Sequence, residues 1–339
     1  MPYNRISKPK FFIDAALLAR QWGMINYAID PEFYTQIHYD TFFNLNPSNV
    51  TNVERSNLAN TYRAVNFKNR YFINSITHCF ILGHNLYSDN NEVMIRIQDD
   101  GGAPVGANIQ EKTTVDSNGL TKFDFGNPRS EVDAKNIAIW FYNTYEGADS
   151  ISIPIGDVSF GWSYTMPHSP DLELTQSFSN ESIKTQTTTG GHTLTNAGWN
   201  QKAGWIRPAW STGHNSTSTF NNDNFKVFPS GRRSWNLKFS YVSDTDLFPE
   251  ASHDTYGIFE NIGTIPNGDE SGFMFSIKSD FMSKVYNSTN GFQLPFIFSP
   301  NSDADNPQYA ICRINNDTAT FNQVANNVYD VSLDIVEVW

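Results

Sequence analysis

Only two cysteines, Cys79 and Cys312, occur in the 339 residues of the chain. They lie far apart in apolar runs, Thr77–Leu82 and Tyr309–Ile314, and neither has a second cysteine at metal-ligand spacing, which excludes a cysteine-based zinc site. Both read as buried, reduced thiols, the usual habit of unpaired cysteine. Apolar runs are short: none approaches the roughly 18 residues that a membrane helix needs. The N-terminus also lacks the basic, apolar and small-residue succession of a secretory signal, so folding in a cytoplasm is expected. Charge is scarce, at 17% of residues, and acidic in balance: 23 Lys and Arg against 35 Asp and Glu give −12. A field of that sign repels phosphate and anionic lipid, which removes nucleic acid and membrane from the expected partners.

Motifs for chemistry are missing too. There is no Gly-X-Ser-X-Gly elbow to present a nucleophile. His78 beside Cys79 resembles a dyad on paper, but neighbouring strand residues point to opposite faces and cannot pair directly. His84, His168, His192, His214 and His253 show no close metal-binding spacing and read as turn and surface residues. Asp99-Asp100 with two glycines resembles half of a calcium loop, without the alternating acidic ligands that complete one. A glycosidase is defined by the separation of two carboxyl groups, and scattered acids in a sequence define none. The expectation is a protein that is not an enzyme, with no catalytic, cofactor-binding or metal-binding residues.

What the chain has is aromatic residues: 26 Phe, 15 Tyr and 8 Trp, set among Asn, Thr and Gly. Strands and tight turns use such residues, whereas long helices would want more Ala, Leu, Glu and Lys. The fold class expected is all-β, with two β-sandwich or jelly-roll-like domains preceded by a short N-terminal arm and helix; the length also favours two domains.

Residues 1–39 make the arm and helix. Asp14 is placed to cap a helix over Ala15–Trp22, and Gly23 to end it. Ahead of it Pro2 and Pro9, with Arg5, Lys8 and Lys10, form an extended basic arm that either lies along its own domain or reaches a neighbouring subunit.

Residues 40–157 make the first sandwich. Strands are expected at Asn74–Gly83, Glu92–Gln98, Thr121–Phe125, Asn136–Tyr142 and Asp149–Ile155, the last near an edge because of Pro154. Asp99–Gly119 reads as surface loop.

Residues 158–339 make the second β domain. Its strands are expected at Leu172–Phe178, Trp235–Val242, Gly272–Phe281, Leu294–Phe298, Tyr309–Ile314 and Val328–Trp339. In the closing strand Val331, Leu333, Ile335 and Glu337 share one face, and Ser332, Asp334, Val336 and Val338 the other. The Thr-, Asn- and Gly-rich stretch 185–224 reads as a long loop that meets a partner. It carries Trp199, Trp205 and Trp210, amphipathic aromatics suited to a sugar face or a subunit contact.

Several of these segments carry a resemblance. Phe80-Ile81-Leu82-Gly83-His84-Asn85-Leu86 resembles the turn of jelly-roll, galactose-binding-like domains in uncharacterised bacteriophage structural proteins. Arg232–Tyr241, Leu294–Phe298, Tyr309–Arg313 and Val328–Trp339 are similar, in that order, to the C-terminal part of phage distal-tail and minor-tail proteins. The resemblance implies a structural subunit of the virion, a tail or baseplate component assembled in the host cytoplasm, with other virion proteins and further copies of itself in a ring or shell as partners. Two other readings stay open, a capsid-associated decoration or fibre-anchoring protein and a host-glycan-binding module of the tail. No cofactor comes with it. The candidate contact residues are Trp199, Trp205, Trp210, Arg5, Lys8 and Lys10.

Overall fold

The computed structural model describes residues 6–21, 26–29, 43–47, 51–55, 63–68, 76–84, 91–98, 111–114, 119–125, 136–143, 151–179, 183–197, 232–249, 280–304 and 307–338. In chain order the first elements are β1 (Lys10–Phe12), α1 (Ala15–Gln21), β2 (Asn26–Ile29), β3 (Thr51–Arg55), β4 (Arg63–Lys68), β5 (His78–Leu82), β6 (Asn91–Gln98) and β7 (Glu111–Thr114). Next come β8 (Leu120–Asp124), β9 (Asn136–Asn143), β10 (Ile151–Ile155), β11 (Asp157–Gly161), β12 (Ser163–Thr165), β13 (Thr175–Phe178), β14 (Ile183–Thr187) and β15 (Thr193–Ala197). The last group is β16 (Arg233–Ser243), α2 (Asp244–Leu247), a π-helical turn Met282–Tyr286 running into a 3-10 turn Asn287–Thr289, β17 (Phe296–Ser299), β18 (Ala310–Ile314), β19 (Phe321–Ala325) and β20 (Val328–Glu337). The described chain is thus all-β with short helical pieces, and its sheets are antiparallel.

An eight-stranded sheet runs β12-β1-β17-β18-β20-β16-β13, with β19 also on β20. The long β20 is its spine. One side pairs with β16, while the other takes β19 along its first half and β18 along its second. Beside this sheet lie a three-stranded sheet β11-β5-β8, a five-stranded sheet β2-β4-β9-β6-β7, and the pairs β10-β3 and β14-β15. Because strand residues alternate between faces, one strand can serve two cores. β1 does this: Phe11 packs on Tyr164, Phe281, Phe296 and Phe298 in the larger core, and Phe12 stacks on Phe80 and Tyr309 in a smaller one with Leu82, Ile297 and Ile311.

The helix forms as its sequence predicts. Asp14 Oδ1 accepts the Leu17 N–H at 2.9 Å, which satisfies one of the amides left open in a first helical turn, and Arg20 sits in the last turn where its charge opposes the helix dipole. Trp22 and Gly23 lie outside the described residues. Close contact with β11 requires Gly161, where any Cβ would overlap the Ile13 carbonyl oxygen. Lys10–Phe12 is built into the large sheet: β1 pairs with β12 on one side and β17 on the other.

Most expected strands are present, with shifted ends. The closing strand has the faces read from its sequence, with Val331, Leu333, Ile335 and Glu337 buried. Both cysteines are free and buried. Three expectations need correction. Within the expected loop 99–119, Glu111–Thr114 forms β7 on β6, the Ile95–Glu111 register holding it there. Within the expected loop 185–224, residues up to 197 belong to the β14–β15 hairpin. Phe281, read as the end of a strand, starts the helical turn, because Asp280 caps it by accepting the Ser283 N–H at 2.8 Å; the rest of that expected strand lies outside the described residues. The strands on either side of residue 157 share a sheet, since β11 pairs along its length with β5, Val158 opposite Ile81 and Phe160 opposite Cys79.

Candidate functional site

The densest concentration of titratable chemistry lies under α1. Asp14 ends the link from β1, and Asp157 opens β11; both are fully buried with Ser159. The Asp157 Oδ2 accepts the Asn44 N–H at 3.0 Å, and the N–H groups of Leu45 and Asn46 also support its carboxylate. Asp14 is held by the amides of Leu17 and Ala16, with the Ser159 hydroxyl alongside. Yet Asp14 Oδ2, Asp157 Oδ1 and Ser159 Oγ find no partner of hydrogen-bond geometry. Burial pushes Asp14 up to about 6. It pushes Asp157 well above the usual carboxylate range, and the neighbouring Asp14 charge adds to the rise. Two carboxyl groups in a dry interior repel when both ionise, so the charge of one favours the protonated form of the other.

His78 and Cys79 divide between the two cores, as alternation requires. The His78 ring lies 5.0 Å from Phe12 and 5.5 Å from Phe80, edge to face, while Cys79 belongs to the larger core. Burial holds His78 well below its ordinary range, with Lys122 and Lys10 adding to the depression, so it is a neutral ring. The Cys79 thiol is pushed up by burial and by Asp14 and Asp157, which keeps it protonated and unreactive. His84 meets Thr121 Oγ1 through Nε2 at 3.0 Å, and burial lowers it to about 4. It follows Gly83, whose φ of +67° supplies the left-handed step of that turn. His168 Nδ1 lies 2.8 Å from the Ser169 carbonyl, and His192 sits exposed in a hairpin turn. His214, His253, Asp99 and Asp100 lie outside the described residues. Among the described residues no three His, Cys, Asp or Glu side chains group to hold a metal.

A buried ion pair closes the far end of the large sheet. Arg233 donates through Nε to Glu337 Oε2 at 3.0 Å and through Nη2 to Oε1 at 2.9 Å, and its own backbone N–H reaches Oε2 at 2.9 Å. The guanidinium also donates to the Tyr309 carbonyl at 3.2 Å and lies 5.3 Å from the centre of the Trp235 ring. Its donors are engaged within the fold, which makes it a strut.

The surface offers a different kind of site. Residues 185–194 of the β14–β15 hairpin are all exposed, and among the described residues no third strand pairs with it. Its turn is closed by its own bonds, Thr188 N–H to the His192 carbonyl at 2.9 Å and Gly191 N–H to the Thr188 carbonyl at 2.9 Å. On β16 a bulge between Phe239 and Val242 turns Tyr241 outward, 75% exposed, with a φ of +62° that is rare for an aromatic residue. Asp330 Oδ1 accepts the Tyr241 N–H at 3.2 Å, and Asp171 takes both the N–H and hydroxyl of Ser240, which places the fully exposed Leu172 close by.

Of the contact residues expected from sequence, Trp199, Trp205, Trp210 and Arg5 lie outside the described residues. Lys8 is exposed, and its carbonyl accepts the Ser302 N–H at 3.1 Å. Lys10 is a half-buried strand residue with Nζ 5.1 Å from the Phe12 ring centre, and burial lowers its pKa. The hairpin was missed, being read as part of a loop, although Thr-rich alternation on either side of Gly190-Gly191 is a turn signal that could have found it. Tyr241 was not legible, since nothing local marks a bulge there.

Compared with known proteins, the chain matches no family model and no curated protein.

Proposed function

We propose that this chain is a structural subunit of a bacteriophage particle, a tail or baseplate component that packs against other virion subunits. In this reading the β architecture divides into two jelly-roll-like sandwiches tied together by β1, and the chain serves as building material in a homo-oligomeric ring or shell.

The observation that carries the reading is the β14–β15 hairpin, exposed along 185–194 and without a third strand among the described residues. An isolated two-stranded ribbon is at best marginally stable in water, and gains stability when a further strand or surface packs on it. A ribbon with a well-formed turn and exposed side chains suits a contact with another chain. The bulged, outward-turned Tyr241 adds support, because backbone strain is retained where a side chain has work to do. The sequence resemblance to phage tail proteins supplies the setting.

Mass spectrometry of purified particles tests the assignment, and imaging of the same particles tests the location. The chain is expected at a fixed copy number in the tail. Its absence from particles would sink the reading, and its presence on the capsid surface would move it to a decoration or fibre-anchoring role.

A further inference from the structure

We propose that the β14–β15 hairpin of one copy adds to the β19 edge of a neighbouring copy, extending the neighbour's eight-stranded sheet. The proposal rests on the structural-subunit reading and names the contact that would join its subunits.

The donor is a ribbon that, among the described residues, has no third strand on either edge. Each strand of a two-stranded ribbon spends one row of N–H and C=O groups on its partner and presents the other row outward. Here Thr185 is in register with Thr195 and Gln186 with Leu194, and the side chains of 185–194 reach no cover, Leu194 remaining 58% exposed. The ribbon is long enough for a five-residue ladder, since Ile183–Thr187 and Thr193–Ala197 pair along their whole length.

The receiver is an edge of the same length. β19 pairs with the first half of β20 and, among the described residues, with no other strand. Asn322–Ala325 are exposed, with Val324 at 47%. The strand is nonetheless held firmly, because Phe321 packs inward on Phe248 at 5.0 Å. Proteins usually blunt such an edge with lysine, proline or a bulge; β19 carries neither lysine nor proline, and its one irregularity, between Gln323 and Ala325, lies near its end. At the two ends of the sheet the edges are shorter: β12 has three residues, with the Trp162 indole bonded to the Lys284 carbonyl and Tyr164 buried beside it, and β13 has four.

Charge selects a second copy as the occupant. The chain carries −12, so two copies repel wherever acidic surfaces meet. The hairpin, 183–197, contains Lys184 and no Asp or Glu, whereas β19 and the segments that flank it, 315–332, contain Asp317 and Asp330 and no Lys or Arg. The approach of hairpin to β19 margin is therefore one the field favours. Side chains match as well: Thr185, Gln186 and Thr187 of β14, the strand that would lie against β19, are of the same polar kind as the exposed Asn322 and Gln323. Since donor and receiver are different surfaces, the contact runs head to tail and closes into a ring or continues as a helix.

Variants with one added cysteine test this directly, because Cys79 and Cys312 are buried and stay out of the chemistry. Full-length Thr187→Cys and Gln323→Cys chains, both changed at exposed positions, are co-expressed, recovered in assembled particles and oxidised. A covalent dimer is expected from the mixture and from neither variant alone. No dimer from particles that contain both variants overturns the proposed contact and leaves the subunit assignment standing. A dimer from Thr187→Cys alone means hairpins meet each other, and one from pairing Thr187→Cys with Ser177→Cys means β13 is the edge used; either overturns the choice of β19. Absence of the chain from particles removes the underlying reading instead. Unchanged melting temperatures of the purified variants show that the fold survived the substitutions.

Discussion

Asp14 and Asp157 bury two mutually repelling carboxyl groups beneath helix α1, each with one oxygen held by backbone amides and the other without a partner. The pair predicts how stability depends on pH. Raising Asp14 from 3.8 to about 6 costs about 3 kcal/mol at neutral pH. The folded chain keeps protons that the unfolded chain has released, so the two acids lower stability as pH rises from about 4, the Asp14 part of the loss being complete near 6. His78 and His84 act oppositely: depressed on folding, they refuse protons the unfolded chain binds, so stability rises with pH between about 4 and 6.5. These four groups oppose one another and should leave a shallow profile between about 4 and 6. Asp157→Asn removes one of the two acids and should make the histidine-driven rise steeper over that range, read as urea midpoints across pH. A variant whose profile runs parallel to the parent's would show that the acids carry no such coupling.

Arg233 and Glu337 predict an asymmetry between breaking a buried pair and replacing it. Glu337→Ala strands a guanidinium that is 5% exposed, and should cost about 3–5 kcal/mol. The double change Arg233→Met with Glu337→Leu fills the same space without charge and should lie much closer to the parent. Denaturant titration of both single variants and the double variant checks this. Additive losses would mean that the two side chains do not act as a pair.

Gly161→Ala should dislodge the start of the chain. The added methyl would overlap the Ile13 carbonyl oxygen, a backbone atom that cannot swing aside, and a loss of roughly 1–3 kcal/mol is expected. Gly190→Ala is the control, since its Cβ would meet nothing nearer than the His192 ring at 3.8 Å. Equal midpoints for the two variants would argue against tight packing of the Ile13 link on β11.

Tyr241→Gly separates stability from assembly. Glycine relieves the left-handed backbone, so the purified chain should gain up to roughly 1 kcal/mol. If Tyr241 is a contact residue, the same change lowers incorporation into particles in competition with the parent chain. Undiminished incorporation would remove Tyr241 from the contact surface.

Much of the local architecture could be read in advance. Asp14 before an Ala- and Leu-rich stretch gave the helix and its cap, and alternation in Val331–Glu337 gave the buried face of β20, Glu337 included. β7 and β19 escaped notice because Glu111–Thr114 and Phe321–Ala325 are short and mostly polar, and edge strands need little apolar surface. A better signal for β19 was the Asn326-Asn327 turn, with Asn327 at a φ of +59°, which joins it to β20. The candidate site was less legible. Asp14 read as a cap and Asp157 as a domain border, and nothing near either residue announces the other.

The sequence by itself determined that this is a β protein with buried free thiols, one well-capped helix close to its start and a two-faced closing strand. Those features depend on neighbours a few residues away, through side-chain alternation and first-turn hydrogen bonding. Tertiary structure alone decided that β1 enters the sheet between β12 and β17, that Phe11 and Phe12 serve separate cores, and that Asp14 lies beside Asp157 and Arg233 beside Glu337. The physical reason is that a period of two fixes which face a residue takes, while the partner strand and its register follow from which distant surfaces bury each other best.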